Sequence, residues 1–184
     1  MTEAAIETDR LILREWRDAD RDPFAAMNAD AEVMRYFPSL MTREQSDAMA
    51  DRIVAHFDGH GLGLFAVERK DTGAFIGFTG FSICRETLPI AGDIEIGWRL
   101  ARENWRRGYA YEAACACIEW FWQNLDRRRL VSFTAESNAP SRALMRKLGL
   151  SHRPELDFDY PGIPADNALR KQVVYVIKRE NGRG

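Results

Sequence analysis

Residues 93–112 of this chain combine a candidate proton acceptor with a candidate anion site. In the first part of this stretch, apolar and other residues alternate as Asp93, Ile94, Glu95, Ile96, Gly97, Trp98, Arg99 and Leu100. Period-two alternation predicts a β-strand with one packed face and one open face. The open face would carry Glu95, and a carboxylate in such a place can accept a proton from a reacting group.

The rest of the stretch, Trp105-Arg106-Arg107-Gly108-Tyr109-Ala110, runs into a predicted helix. A glycine-containing turn at a helix start points unpaired backbone N–H groups at one place, with the positive end of the helix dipole behind them. Such a place favours phosphate. The segment lacks the glycines of the dinucleotide loop and the Gly-Lys-Ser/Thr of the P-loop. From these residues alone, a phosphate cradle and a plain tight turn at Gly108 stay equally open.

Several predicted elements must position these residues. We predict strands at residues 10–16, 62–69, 74–83, from 93 onward, 130–136 and 172–178. We predict helices at residues 18–29, from 42 to about 58, 109–125 and 138–148, and a long loop at 156–169. The capping box that begins at Thr42 marks one helix start, and Gly149 marks a helix end. Strands precede, separate and follow the helices, so the fold class is α/β or α+β with a mixed sheet.

Composition is that of an ordinary globular protein. A chain of 184 residues is normally one domain, here expected to span residues 1–184. The net charge of −2 gives no electrostatic footprint for nucleic acid. The longest apolar run, near residues 113–118, is too short to cross a membrane. No signal peptide is visible from Met1 to Glu3, so the cytoplasm is the expected compartment.

Cysteine usage argues for free thiols, since the three cysteines are an odd number in a chain without an export signal. They are Cys84, Cys115 and Cys117. The last two are two residues apart on a predicted helix and therefore point to different sides. Zinc-type spacing is absent, and the histidines are few, so no metal is expected. The histidines are His56, His60 and His152.

Four blocks of the sequence occur in an order that resembles the GNAT superfamily of N-acetyltransferases. Residues 105–110, followed by Glu112-Ala113, resemble its acyl-CoA-binding motif, with Trp105 where Gln or Arg is usual. A Trp there is typical of the RimJ/RimL-like branch, the ribosomal-protein alanine N-acetyltransferases and their relatives. Residues 7–14 resemble the opening strand of that branch, residues 30–38 its short helix ending in an aromatic-Pro turn, and residues 135–150 its second conserved block.

The resemblance implies a GNAT-like fold, in which a strongly twisted mixed sheet splays apart between residues 94–100 and 130–136. Acetyl-CoA, the implied co-substrate, would lie in this opening and give its acetyl group to a primary amine by direct attack in a ternary complex. The implied donor-binding residues are Trp98, Arg99 and Leu100 by their backbone groups, Arg106, Arg107, Gly108, Tyr109, Ala110 and Tyr111 in the loop, and Asn138 and Ser141 beyond it.

Two catalytic residues are implied as well. Glu95 fills a position where many GNAT enzymes carry a catalytic glutamate, and Asp93 is the next candidate. The alternative is that Glu95 is merely exposed on a solvated strand. Many GNAT enzymes use a tyrosine as the acid, but its counterpart here is Met145, which cannot donate a proton. The branch places a hydroxyl at Ser141, so Ser141 is the expected acid, with a helix cap as the alternative.

The acceptor stays open between a protein N-terminal α-amine and a small-molecule amine such as a polyamine or amino sugar. The chain departs from the branch at Tyr160-Pro161, Asn167 and Gln172. A set of acids could line a cleft for a cationic amine, namely Glu86, Asp93, Glu95, Asp157, Asp159 and Asp166. A catalytically weak acyl-CoA-binding module that acts as a sensor or interaction domain is the alternative function, and a structural domain without a donor site is the third. No nucleic-acid or membrane partner is expected, and a homodimer is left open.

Overall fold

The computed structural model describes residues 6–179, whose strands form one mixed nine-stranded sheet. The strands are β1 (Ile6–Glu7), β2 (Leu11–Arg14), β3 (Leu64–Arg69), β4 (Phe75–Ile83), β5 (Ile94–Leu100), β6 (Arg129–Ala135), β7 (Ser151–His152), β8 (Phe158–Asp159) and β9 (Lys171–Lys178). The helices are α1 (Arg21–Ala29), α2 (Arg43–His60), α3 (Tyr109–Asn124) and α4 (Ala139–Lys147), with single 3-10 turns at Asp18–Asp20, Arg102–Asn104 and Pro154–Leu156. Residues Met1 to Glu3, on which the compartment prediction rests, lie outside the described residues.

The predicted fold class is confirmed, and three local predictions need correction. The expected opening strand at residues 7–14 is a hairpin of β1 and β2, because the Thr8 hydroxyl and backbone form a tight turn with Leu11. The expected short helix at 30–38 is a series of turns, since the Asp30 carboxylate accepts the N–H groups of Glu32 and Val33. The expected long loop contains the short strand β8, which pairs with β9.

The strand order is β1-β2-β3-β4-β5-β6-β9-β7, with β8 also on β9. Among the described strands, β5 and β6 form the parallel pair, and the other pairings are antiparallel. The β5–β6 pairing is restricted to Glu95 opposite Val131. Beyond that position the two strands run apart, so the splay implied by the resemblance is present.

Helix α3 covers one face of the sheet, where Ile94, Ile96 and Leu100 join its buried residues in the largest core cluster. On the opposite face, α1 and α2 pack over Phe78 of β4, and a separate apolar cluster forms around Val131. Between these two clusters lies Gly97 of β5, where an added Cβ would meet no atom within 4 Å. The open face of β5 therefore forms the floor of a trough, with Glu95 toward one cluster and Arg99 toward the other.

No helix within residues 6–179 is long and apolar enough to cross a membrane.

Candidate active site

The splayed half of β5 turns backbone groups toward the gap left by β6. The Ala101 N–H donates to the Ile76 carbonyl of the facing strand at 2.9 Å. In an antiparallel pair, every second residue of a strand forms hydrogen bonds with the neighbouring strand, and the residues between them point their backbone groups the other way. Ala101 bonds to β4, so the backbone groups of Trp98 and Leu100 point away from β4 and toward β6. The Leu100 carbonyl accepts the Trp105 indole N–H at 2.7 Å. Among the described residues, the Trp98 N–H and carbonyl and the Leu100 N–H have no hydrogen-bond partner, so their geometry suits an extended, amide-bearing ligand.

Arg99 needs a correction on this point. The resemblance grouped it with Trp98 and Leu100 as a backbone ligand of the donor. The same alternation turns the Arg99 backbone groups toward Phe78 of β4, so that they belong to the sheet. The functional interest of Arg99 therefore lies in its side chain.

The loop before α3 has the geometry of an anion cradle. Arg106 and Gly108 both adopt left-handed backbone conformations, with φ of 58° and 83°, and Gly108 starts the helix without a side-chain cap. Among the described residues, the amides of 106–111 have no hydrogen-bond partner. Left-handed turns at a helix start gather such amides around one point. This geometry favours the cradle over the plain turn for the loop at Gly108.

Some side chains of residues 106–111 are buried in the core, and others are exposed to solvent. Tyr109 is buried with the Arg10 guanidinium 4.6 Å from its ring centre, so its side chain belongs to the core. The Arg106 and Arg107 side chains are exposed, and Ala110 is half-buried. The Lys147 ammonium of α4 lies 4.2 Å from the Tyr111 ring centre. Positive charge therefore surrounds the cradle, and Lys147 is a contribution that sequence reasoning missed.

Glu112 anchors the cradle to the N-terminal hairpin. The Arg10 Nε donates to its carboxylate at 2.7 Å, and the Arg10 Nη1 donates to the Arg107 carbonyl at 3.0 Å. The Thr8 hydroxyl and the Arg10 N–H donate to the other carboxylate oxygen. Although burial raises the pKa of Glu112, these hydrogen bonds from Thr8 and Arg10 outweigh it and lower the pKa. The motif identified Glu112 in the sequence, but its partners are 102 residues or more away and gave no local signal.

Glu95 is half-buried next to the position at which β5 and β6 separate. Burial raises its pKa to about 7, although the Ser82 hydroxyl, which donates to it at 3.2 Å, opposes the rise. Asp93, the second candidate, forms a two-bond pair with Arg129 at 2.8 and 2.6 Å. Glu95 therefore differs from Asp93 in having no ion-pair partner among the described residues, and a fully solvated surface glutamate does not describe it.

At the start of α4, Asn138 and not Ser141 caps the helix. The Asn138 side chain is the cap, since its Oδ1 accepts the Ser141 N–H at 3.2 Å and its Nδ2 donates to Thr134 at 2.9 Å. Ser141 is therefore not the helix cap. Its hydroxyl has no hydrogen-bond partner among residues 6–179 and is free for a ligand. Met145 is 1% exposed within the core.

The expectation of an acidic cleft that attracts a cationic amine is weakened, because three of its acids pair with basic side chains. Asp93 pairs with Arg129, Asp157 with His152, and Asp159 with Arg170. A cleft of about 350 Å³ does open beside the start of α4. It is lined by Glu136, Ser137, Asp159, Ala165, Asn167, Ala168, Arg170 and Lys171, a set of mixed charge.

Asn167 and Gln172 shape the loop beside this cleft. The Asn167 side chain accepts the Leu169 N–H at 2.9 Å, and the Gln172 side chain donates to the Leu169 carbonyl at 2.7 Å. At both positions the branch often has His. Here they hold the backbone of the loop. Within the described range, no group of three His, Cys, Asp or Glu residues is placed to hold a metal ion.

The class of the protein follows from a family comparison. Residues 10–151 match the family described as Acetyltransferase (GNAT) domain. The chain belongs to this family, and it is an N-acetyltransferase. GNAT enzymes use acetyl-CoA as their acetyl donor.

Individual relatives agree with this assignment. The chain is 30% identical over 146 residues to "Uncharacterized N-acetyltransferase YoaA" of Bacillus subtilis (strain 168), covering 78% of this chain and 81% of that protein. Its fold is similar to the acetyltransferase from Agrobacterium tumefaciens str. C58, with a TM-score of 0.78, 23% identity and coverage of 97% and 96%. It is also similar to RimL, the ribosomal L7/L12 alpha-N-protein acetyltransferase solved with coenzyme A, with a TM-score of 0.76, 14% identity and coverage of 95% and 97%.

Proposed function

We propose that this chain binds acetyl-CoA in the gap between β5 and β6 and transfers the acetyl group directly to a primary amine. The observation that carries the proposal is Glu95, a carboxyl with a pKa raised to about 7, half-buried where the two strands separate. A base works best when its pKa lies near the working pH. Glu95 has that property at the inner end of the gap.

The donor would lie along the edge of β5. Its amide-bearing arm would pair with the free backbone groups of Trp98 and Leu100, and its pyrophosphate would meet the amides of residues 106–111. Arg106 and Arg107 add positive charge at the same place, and Asn138 fixes the start of α4 beside the gap. The backbone groups of Trp98 and Leu100 and the amides of residues 106–111 support this placement, because they have no hydrogen-bond partner among the described residues.

The chemical step needs a neutral amine. An ammonium ion has no lone pair, so Glu95 would first accept one proton from it, directly or through water. The nitrogen then attacks the thioester carbonyl, the new C–N bond forms, the C–S bond breaks, and the nitrogen releases its second proton to solvent to leave the neutral amide. The Ser141 hydroxyl, free at the start of α4, would give its proton to the departing thiolate and regain one from solvent.

Direct transfer fits the state of the thiols. Cys84, Cys115 and Cys117 are all free, and Cys84 and Cys117 are buried. Burial raises the pKa of Cys84 to about 12 and raises that of Cys117 as well. A buried thiol of this kind is a poor nucleophile, because the thiolate is the reactive form. An acetylated Cys84 or Cys117 is therefore not part of the proposed route.

We place the chain in the RimJ/RimL-like branch and name a peptide α-amine as the first acceptor to test. The motif order and the fold likeness to RimL support this placement, and the cytoplasm is the expected compartment. The experiment follows CoA release with Ala- and Ser-starting peptides, polyamines and aminoglycosides, and measures acetyl-CoA binding by calorimetry in parallel. Amine-dependent CoA release supports the proposal. Tight acetyl-CoA binding without release for any amine would favour the weak acyl-CoA-binding module instead.

A further inference from the structure

Arg99 is a buried cation without an acidic partner. Only 7% of the residue is exposed, and no carboxylate within residues 6–179 forms an ion pair with it. Its Nη1 donates to the Asn28 side-chain oxygen at 2.6 Å, which is its one side-chain hydrogen bond in the described part of the chain. Burial lowers the pKa of Arg99 to about 10, so the side chain stays positive at neutral pH.

The Arg99 guanidinium lies against two aromatic rings and the Asn28 side chain. The rings of Phe37 and Phe78 have their centres 4.0 and 5.3 Å from its central carbon. Asn28 is itself held, because its Nδ2 donates to the buried Ser46 hydroxyl at 2.9 Å. With Nη1 taken by Asn28, the edge formed by Nε and Nη2 is without a partner among the described residues, and Nε is buried.

This free edge has the shape that recognises a carboxylate. Two parallel N–H groups of a guanidinium match the two oxygens of a carboxylate, and the pair is strong because both groups are charged. A buried charge with unused donors is costly for a fold, since neither water nor a partner compensates it. A ligand that supplies the missing anion would remove that cost.

The position of Arg99 on β5 favours the acceptor as the source of such an anion. Arg99, Gly97 and Glu95 alternate along β5 and therefore share one face of the sheet. Glu95 and Arg99 are four positions apart on the strand, which places their Cα atoms about 13 Å apart. The space above Gly97 is open between them. The donor is expected at the strand edge, so this face is left for the acceptor.

We propose that Arg99 binds a carboxylate of the acceptor while Glu95 receives its amine, so that the acceptor is an amine that also carries a carboxylate. The proposal rests on the proposed function. The proposal requires Phe37, 37% exposed in the turns between α1 and α2, to rotate away as the carboxylate reaches the Nε edge, whereas the buried Phe78 keeps its place. The carboxylate can be a free chain end or an acidic side chain near a peptide N-terminus.

A purely structural Arg99 would behave differently. As a link from β5 to Asn28 of α1, it would contribute to stability and have no preference among acceptors. The decisive quantity is therefore the ratio of kcat/KM for acceptors that differ only in a carboxylate. This ratio is measured on the unmodified protein, so it does not depend on whether a variant folds.

The experiment uses two matched pairs of peptide acceptors. Ala-Ala-Ala with a free or an amidated C-terminus tests the chain end, and amidated Ser-Ala-Asp against amidated Ser-Ala-Asn tests a side chain. We expect the carboxylate member of at least one pair to be favoured by about 10- to 100-fold in kcat/KM, mainly through KM. Acetylation of both members of both pairs with equal efficiency would overturn the inference and leave the proposed function intact. Acetylation of no amine at all would overturn the proposed function and the inference with it.

Variants then assign the preference to Arg99. Arg99→Gln and Arg99→Lys should both lose it, since glutamine lacks the charge and lysine lacks the paired donors. Arg129→Gln is the matched control. It also replaces a positive arginine by glutamine, but Arg129 already pairs with Asp93. The control should keep the preference. A carboxylate preference that survives in folded Arg99→Gln would overturn the assignment.

Discussion

Burial of Glu95 has opposite consequences for stability and for the proposed proton transfer. Its pKa is raised from 4.5 to about 7, which means that the fold favours the neutral form over the ion. Below about pH 4.5 the group is neutral in the folded and the unfolded chain, and nothing is lost. As the pH rises toward 7, the unfolded chain ionises first and is favoured. The free energy of unfolding therefore falls over this range and levels off above the folded-state pKa.

We expect Glu95→Gln to stabilise the protein at high pH. The free energy of unfolding at about pH 8.5 should rise by about 1–3 kcal/mol, and it should change little at about pH 4.5. Chemical denaturation at the two pH values measures the difference. Glu119→Gln, on an exposed residue of α3, is the control and should show no such pH dependence. Equal effects of Glu95→Gln at both pH values would contradict the raised pKa.

Ser141 and Asn138 permit a second comparison at the residue scale. Ser141→Ala removes a hydroxyl that has no partner in the described residues, so the melting temperature should stay unchanged while kcat falls at least about tenfold. Asn138→Ala removes the cap of α4 and should lower stability by about 1 kcal/mol. Thermal melting and steady-state kinetics on both variants test the assignment. Normal turnover by Ser141→Ala would exclude its hydroxyl as the acid.

Among the secondary-structure elements, the start of α3 is the part on which the proposed donor binding depends. Left-handed Arg106 and Gly108 leave the amides of 106–111 open, and the hairpin of β1 and β2 holds the loop through Arg10 and Glu112. The local sequence predicted the strand, the turn and the helix, because period-two alternation and glycine placement are local signals. It did not predict the hairpin contacts, since they join segments about a hundred residues apart.

The limits of local sequence signals are clearest at Arg99. Alternation correctly placed Arg99 on the face of β5 that carries Glu95, and it predicted an open face. The face is open only at Gly97, because α1 and the Phe37 segment cover Arg99. Which part of a strand face is covered depends on how distant elements pack. The resemblance likewise gave Ser141 a role but not its geometry, which depends on Asn138 as the cap.

Two substitutions at Gly108 test the cradle. Asparagine and aspartate have nearly the same shape, and both tolerate a left-handed backbone better than other residues do. In each case the new Cβ meets only the end of the Arg10 side chain, at 3.3 Å. We expect Gly108→Asp to fold and to bind acetyl-CoA at least about tenfold more weakly than Gly108→Asn, because its charge repels phosphate and competes for the amides. Equal affinities by calorimetry would count against an anion cradle.

At the scale of the whole molecule, the sheet consists of two parts that meet at one pair of residues. Strands β1 to β5 form one part and β6 to β9 the other, and Glu95 opposite Val131 joins them. This arrangement leaves a gap that runs from the start of α3 to Glu95. The general plan was predictable because it belongs to the family, whereas a single domain over residues 1–184 stays a prediction.

The pH dependence of acetyl transfer in the wild-type protein and in Glu95→Gln tests the central claim most directly. With an amine acceptor that the wild type acetylates, kcat/KM is measured from about pH 5.5 to 9, and acetyl-CoA affinity is measured alongside. We expect Glu95→Gln to be roughly 10²–10⁴-fold slower at high pH with unchanged acetyl-CoA affinity. The ratio of wild-type to variant rates should fall as the pH drops through about 7, where Glu95 becomes protonated. A variant with wild-type turnover and a constant ratio across this range would contradict the account.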